Sequence, residues 1–155
     1  QIYRTLQASQ VNRPEFELLF AEIYAKQGKT KELNEFLDKL MVREGDPMRL
    51  EPLYNQRLVR LLANNNRMED AKAFHQKLKS NNTLFYKASD LVSLALINLK
   101  ENKTDEALSL LDEALGLYPY EVDGIKLLKE IGKTNAKADN ILTNRLKGME
   151  IPAIL

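Results

Sequence analysis

Two stretches of the chain read Gly-Lys-Thr, at residues 28–30 and 132–134, and this triplet also ends a phosphate-binding loop. That loop requires a second glycine five residues before the first glycine of the triplet, directly after a β-strand. The two required positions hold Ile23 and Leu127. Both lie in segments whose apolar spacing predicts helix. We therefore predict that the two triplets are turns at helix ends and bind no phosphate.

The other residues with catalytic or metal-binding potential are His75 and three acidic pairs. The chain has one histidine and no cysteine. A lone histidine needs several carboxylates to complete a zinc site, and nucleophilic catalysis needs a partner base. The acidic pairs are Glu69-Asp70, Asp105-Glu106 and Asp112-Glu113. Two of them begin predicted helices, where negative charge is favoured, so we predict no enzyme activity, no metal and no cofactor.

Composition narrows the classes of partner. The chain has 155 residues, of which 44% are hydrophobic and 29% are charged, with a formal net charge of +1. A nearly neutral chain has no general attraction for nucleic acid, and no basic face studded with aromatic residues is apparent, so an RNA-binding repeat is disfavoured. No apolar run is long enough for a membrane span, which predicts no membrane insertion. The absence of cysteine excludes disulfides and is compatible with any compartment.

Residues 91–119 show the clearest pattern, which predicts two helices joined by a short turn. Leu91, Leu94 and Ala95 recur at one-turn spacing on the first helix. Asn102 suits the left-handed conformation that ends a helix, and Thr104 is a favourable N-cap for the next one. The predicted buried stripe of the second helix is Ala107, Leu108, Leu110, Leu111, Ala114 and Leu115.

This two-helix unit recurs along the chain. The turn residues Gly28, Asn66 and Asn102 are separated by 38 and then 36 residues. Asn66 is also predicted to cap the following helix, with Glu69 at capping-box spacing. Three further sets share the same two spacings: Ala21, Val59 and Ala95; Leu33, Ala71 and Ala107; Leu37, His75 and Leu111. Agreement at several positions in one register indicates structural repeats.

The repeats divide the chain into segments with distinct roles. We predict repeats at residues 14–45, 48–83 and 85–119, a shortened capping pair at 120–148 and an apolar tail at 149–155. The turn at 132–134 copies the one at 28–30 in sequence. The predicted apolar positions of the first helix of repeat 1 are Leu19, Phe20, Ile23 and Tyr24.

Residues 1–12 are predicted to be the second helix of a preceding repeat. Tyr3 and Leu6 lie 34 residues before Leu37 and Leu40, at the same positions of the pattern. We expect the chain to be a fragment of a longer protein. The alternative is a free N-terminal helix that caps the stack.

The repeats resemble those of the tetratricopeptide family, whose pattern is W-x2-L-G-x2-Y, then A-x3-F, then P. Repeat 3 matches best, with Leu94-Ala95, then Ala107 and Leu111, then Pro119. The chain departs from the pattern in having no Trp and in its longer periods. The resemblance covers nearly the whole sequence. It implies an all-α, right-handed α-solenoid of antiparallel helix pairs, with eight or nine helices, that binds a protein or peptide without catalysis.

The resemblance also implies a concave groove lined by the first helix of each pair. Arg57 and Arg60 lie one turn apart there and suit an acidic and apolar peptide. The alternative is that these arginines pair with neighbours such as Glu22 or point to solvent. The predicted partner-binding residues are Glu22, Gln56, Arg57, Arg60, Asn64, Val92, Leu96 and Lys100. Leu18 is expected on the same face.

Two functions remain open from the sequence. The first is a scaffold that binds a peptide or partner helix in the groove. The second is a structural or self-assembly module, in which the ends of the array and the apolar tail drive homo-oligomerisation. The tail at 149–155 is expected to fold back on the last helix pair, or alternatively to dock into the groove of a neighbouring chain.

Overall fold

The computed structural model describes residues 14–43, 52–78 and 83–149, and these residues form eight α-helices and no strand. The prediction of an all-α protein is confirmed. Residues 1–12 and most of the tail lie outside the described residues. None of the described helices is long and apolar enough to cross a membrane. The helices are α1 (Pro14–Lys26), α2 (Thr30–Arg43), α3 (Pro52–Asn64), α4 (Met68–Lys77), α5 (Leu84–Lys100), α6 (Thr104–Leu117), α7 (Val122–Gly132) and α8 (Ala136–Arg145).

The chain forms two compact units, Gln1–Leu78 and Lys79–Leu155. In unit 1, α1 packs against α2, α3 packs against α4, and α1 also contacts α3. Tyr24 of α1 meets Phe36 of α2 edge to face, with ring centres 6.0 Å apart. The fully buried side chains of this unit are mostly apolar and include Leu18, Ala21, Leu33, Leu37, Leu58, Leu62, Ala71 and Phe74.

The buried face of α1 differs from the predicted one. Leu18 and Ala21 are fully buried, whereas Leu19 is 43% exposed and Ile23 is 38% exposed. The prediction of Leu19 and Ile23 as core positions is therefore wrong. Leu18 and Ala21 face the core of the unit. Leu19 lies one position after Leu18, about 100° around the helix, and Ile23 lies two positions after Ala21, about 160° around it.

Unit 2 has one continuous core built by α5 to α8. In it α5 packs against α6, α7 packs against α8, and α6 contacts both α7 and α8. Gly124 of α7 is buried, and a methyl group at this position would lie 3.0 Å from Cγ2 of Val92. The buried core residues are Ala88, Val92, Ala95, Ala107, Leu108, Leu111, Ala114, Leu115, Ile125, Leu128, Ala138 and Leu146. Five of the six residues in the stripe predicted for α6 lie in this core, and Leu110 packs against it half-buried.

Three turns have the same backbone geometry. Gly28, Asn66 and Asn102 have positive φ angles of 66°, 61° and 62°. In each turn the next N–H donates to the carbonyl five residues earlier: Lys29 to Tyr24 at 3.0 Å, Arg67 to Leu62 at 2.9 Å, and Lys103 to Asn98 at 2.9 Å. This bond is the one that closes a helix in the Schellman motif. The turn register predicted from the sequence is thereby confirmed at all three positions.

The predicted N-caps at Asn66 and Thr104 are wrong. The N-cap positions of α4 and α6 are Arg67 and Lys103, and neither makes a side-chain cap hydrogen bond. Asn66 adopts the left-handed conformation that closes α3, so the cap position passes to the next residue. Thr104 is already the first residue of α6.

The fourth turn does not copy the first, although both contain Gly-Lys-Thr. Helix α7 continues to Gly132, and Lys133 keeps helical angles of φ −58° and ψ −26°. Asn135 then caps α8, since its side chain accepts a hydrogen bond of 3.0 Å from the Lys137 N–H. An asparagine in the cap position allows a turn without a left-handed residue, so the identical triplets adopt different structures.

Candidate partner-binding site

The centre of the predicted site in unit 1 is an ion pair between α1 and α3. Arg57 Nε donates to Glu22 Oε1 at 2.9 Å, and Arg57 Nη2 donates to Glu22 Oε2. The two side chains retain 34% and 24% of their exposure, respectively. Because two donors bind two oxygens, this contact fixes both the orientation of the Arg57 guanidinium plane and its distance from the Glu22 carboxylate. The expected alternative, in which Arg57 pairs with Glu22, is therefore confirmed.

Tyr54 supports the same guanidinium from its own helix. The Arg57 guanidinium carbon lies 5.4 Å from the centre of the Tyr54 ring. A cation over an aromatic face gains about 0.5–1 kcal/mol at a partly exposed site. Arg57 is thus held by Glu22 from α1 and by Tyr54 one turn earlier on α3.

Arg60 follows Arg57 by one turn and is half-buried. Glu22 balances the charge of Arg57, so the three residues together carry one formal positive charge. An ordered arginine beside an aromatic ring offers planar donors and apolar contact area to a carboxylate-bearing peptide. The three side chains offer guanidinium donors and a carboxylate, and none of them is placed as a nucleophile with a base.

Several predicted binding residues lie in the interior. Gln56 is 7% exposed, Val92 is 1% exposed and Leu96 is 8% exposed. Leu18, Gln56 and Val92 occupy the same repeat position, and all three are buried. This position faces the interior in both units, so these side chains do not form an accessible surface. Asn64 and Lys100, by contrast, are exposed at the ends of α3 and α5.

The structure therefore brings together only part of the predicted set. Glu22, Arg57 and Arg60 lie on adjacent helices of unit 1, with Asn64 one turn further along α3. Val92, Leu96 and Lys100 lie on α5 of unit 2, where Val92 belongs to the hydrophobic core. The cluster of Glu22, Tyr54, Arg57 and Arg60 is called the arginine cluster below.

An arginine that the sequence reasoning did not single out joins successive pairs in unit 1. Arg67 lies in the turn before α4 and contacts Asp38 of α2 at 2.7 Å and Asp70 at 2.6 Å. Burial lowers the pKa of Arg67, but hydrogen bonds to Asp70 and Asp38 outweigh it and the net pKa is raised. The sequence signal was a basic residue at this turn in every repeat, at Lys29, Arg67 and Lys103.

Unit 2 has analogous contacts between α6 and α8. Lys137 Nζ lies 2.8 Å from Asp105 Oδ1, and Arg145 Nε lies 2.7 Å from Asp112 Oδ1. A hydrogen bond from Lys137 holds the pKa of the Asp105 carboxyl below its usual value. These pairs are exposed, so each contributes little to stability.

The described residues contain no group of three or more histidine, cysteine, aspartate or glutamate side chains placed to hold a metal ion. His75, the single histidine, is half-buried on α4. Searches against protein-family profiles, curated proteins and solved structures found no match to the chain. The resemblance to tetratricopeptide repeats accordingly stays a prediction made from the sequence.

Proposed function

We propose that the protein is a non-catalytic protein-interaction scaffold, built from antiparallel helix pairs of tetratricopeptide type arranged as a right-handed solenoid. The observation that carries this proposal is the shared geometry of the turns at Gly28, Asn66 and Asn102. The same backbone hydrogen bond closes the helix at the same repeat position in all three turns. This agreement supports a structural repeat, since a chance similarity of sequence would not produce it. Stacked helical repeats present extended surfaces that bind peptides or partner helices.

The arginine cluster is the part of the scaffold proposed to recognise the partner. Glu22 and Tyr54 already hold Arg57 in place, so binding costs less side-chain entropy than ordering a mobile arginine. Arg60, one turn further along α3, adds a second half-buried guanidinium. The proposed ligand is an acidic segment, either a peptide or one face of a helix, with an apolar side chain beside its carboxylate.

A peptide library displayed on phage, with random segments of about 15 residues, provides the probe. Peptides enriched on the wild-type protein are expected to be acidic, and Arg60→Glu is expected to reduce their binding at least tenfold, which corresponds to about 1.4 kcal/mol. The matched control is Lys31→Glu, because Lys31 is an exposed lysine of the same unit on α2. Circular dichroism verifies that both variants are folded.

A second variant separates binding from structure. Exchanging the charges, with Glu22→Arg and Arg57→Glu together, retains an ion pair between α1 and α3 while moving the positive charge to α1. We expect the exchanged protein to stay folded and to lose the selected peptides. Enrichment of peptides without acidic residues, or equal binding by wild type and Arg60→Glu, would contradict the proposed recognition.

Self-assembly is the second candidate, and the exposed apolar face of α1 favours it. Leu19 and Ile23 lie four residues apart on one side of the helix and are 43% and 38% exposed. Light scattering across a concentration series tests this function. If α1 mediates association, Leu19→Ser with Ile23→Ser gives a monomer where the wild type forms oligomers. A wild type that is monomeric at all concentrations rules this candidate out.

A further inference from the structure

Unit 2 carries exposed apolar side chains at the start of α5 and in the α6–α7 connection. Leu84 is 57% exposed, Tyr120 is 58% exposed and Val122 is 40% exposed. Phe85 directly follows the first of these, Tyr118 comes two residues before the second, and both are half-buried. These five residues are called the aromatic patch. A group of exposed apolar side chains of this kind is a candidate interaction surface.

Ring contacts join the two segments of the patch. The Phe85 and Tyr118 ring centres are 5.2 Å apart at an interplanar angle of 84°, and those of Tyr118 and Tyr120 are 6.2 Å apart. Tyr86 adds a further edge contact to Phe85, at 5.3 Å. Edge-to-face contacts hold these rings in fixed orientations. The aromatic surface is therefore ordered before a partner arrives, which lowers the entropy cost of binding.

The first turn of α7 is packed directly against α5. A methyl group at Gly124 would lie 3.0 Å from Cγ2 of Val92. The Gly124 N–H donates to Glu121 Oε2 at 2.5 Å, and Glu121 is only 5% exposed. The carboxylate that follows Tyr120 is thus buried as the cap of α7, so it does not lie on the surface of the patch.

Two exposed lysines lie one helical turn beyond the patch. Lys87 follows Leu84 by three residues on α5. Lys126 follows Val122 by four residues on α7. These spacings place each lysine beside the patch residue on the same side of its helix. Among the described residues, neither lysine side chain has an ion pair or hydrogen bond, whereas Asp123 already has a polar interaction of its own. The unpaired charge that borders the patch on these two helices is therefore positive.

We propose that the aromatic patch, with Lys87 and Lys126 at its border, binds an acidic segment of a partner protein through an aromatic or branched apolar side chain. The apolar side chain packs on the rings, and tyrosine is among the residue types that dominate interface energetics. The carboxylates of the segment complement the two lysines. Basic clusters that bind anionic membranes contain about four to eight lysines or arginines, so two lysines favour a peptide over a lipid surface. The proposal concerns unit 2 alone and does not depend on the arginine cluster.

A synthetic peptide with the sequence Glu-Glu-Leu-Trp-Glu-Glu, blocked at both ends, is the probe. We expect its addition to isotope-labelled full-length protein to shift the backbone amide signals of Leu84, Tyr120 and Lys126 until they saturate. Two matched peptides carry lysine at every glutamate position, or Ser-Ser in place of Leu-Trp. Each is expected to bind at least about tenfold more weakly. Added salt is also expected to weaken binding, because the lysines are exposed and screened by ions.

Substitutions in the protein test the same contacts from the other side. Tyr120→Ala and Lys126→Glu are each expected to weaken binding of the probe at least about tenfold. Lys31→Glu makes the same change of charge at an exposed lysine of unit 1 and is expected to bind like the wild type. Amide spectra verify that each variant is folded. Equal binding by Lys126→Glu and Lys31→Glu overturns the proposal.

Other occupants give different results in the same experiment. Patch signals that shift with phosphatidylserine vesicles and not with the peptide overturn the proposal in favour of a lipid surface. Patch signals that shift with protein concentration alone, and not with the peptide, overturn it in favour of a second copy of the chain. Absence of any saturable shift at the patch also overturns it. Arg60→Glu is expected to leave the patch shifts unchanged, so failure of the arginine cluster and failure of this proposal are distinguishable.

Discussion

Alanine at Gly28 and alanine at Gly132 are expected to change stability in opposite directions, although both glycines begin the same triplet. Gly28 has a φ of 66°, and a methyl group there would meet no heavy atom within 4 Å. The effect of Gly28→Ala is therefore conformational. A left-handed residue other than glycine costs about 1–2 kcal/mol, of which the stiffer unfolded chain offsets about 0.4–1 kcal/mol. The expected net loss is about 1 kcal/mol.

Gly132 is the last residue of α7 and has no left-handed backbone. A methyl group there would make ordinary contacts of 3.5–3.6 Å with Asp139. Alanine is favoured over glycine in a helix by about 0.5–1 kcal/mol, so Gly132→Ala is expected to stabilise unit 2 by up to this amount. For a chain of this size, 1 kcal/mol corresponds to about 2–4 °C in Tm.

Urea unfolding followed by circular dichroism measures both variants. Gly28 and Gly132 belong to different units, so native-state hydrogen exchange supplies the opening free energy of each unit separately. Equal destabilisation by the two substitutions would refute the inference that the triplets differ in backbone conformation. Stabilisation by Gly28→Ala would refute the left-handed turn itself.

Three further results are expected. Gly124→Ala destabilises unit 2 by about 1–3 kcal/mol in urea unfolding, because its methyl group would lie 3.0 Å from Val92 Cγ2. If Val92→Ala lowers the free energy of unfolding as much in the Gly124→Ala protein as in the wild type, the two side chains do not clash. Lys137→Met raises the pKa of Asp105 toward its usual value, because it removes the hydrogen bond that lowers it. The Lys137–Asp105 pair of the wild type stabilises the folded state above the usual pKa of the carboxyl group, and this contribution is lost as pH falls through the lowered pKa. NMR titration follows the Asp105 carboxyl group in both proteins. Coinciding titration curves in wild type and variant would contradict the hydrogen bond between Lys137 and Asp105. Asn102→Ala costs about 1 kcal/mol in thermal unfolding while Asn102→Gly is close to neutral, and a more stable alanine variant would show that φ at this turn is not positive.

The candidate site was only partly predictable from sequence. Arg57 and Arg60 were recognisable as a one-turn pair of cations on a predicted helix. Glu22 is the neighbour predicted as an alternative partner for these arginines, and the structure shows this contact for Arg57. The geometry implied by the tetratricopeptide resemblance predicts Gln56 on the concave face. Its burial at 7% exposure results from the same repeat position that buries Leu18 and Val92.

The sequence by itself determined the helical class and the positions of the three turns at Gly28, Asn66 and Asn102. These features depend on local preferences: apolar spacing within a helix, and the few residue types that accept a positive φ. Only the tertiary structure decided that Gly132 continues a helix, that Leu19 and Ile23 face outward, and that Arg57 meets a carboxylate 35 residues away. Those outcomes depend on which surfaces of separate helices meet, and side chains distant in sequence become neighbours only after the helices have packed.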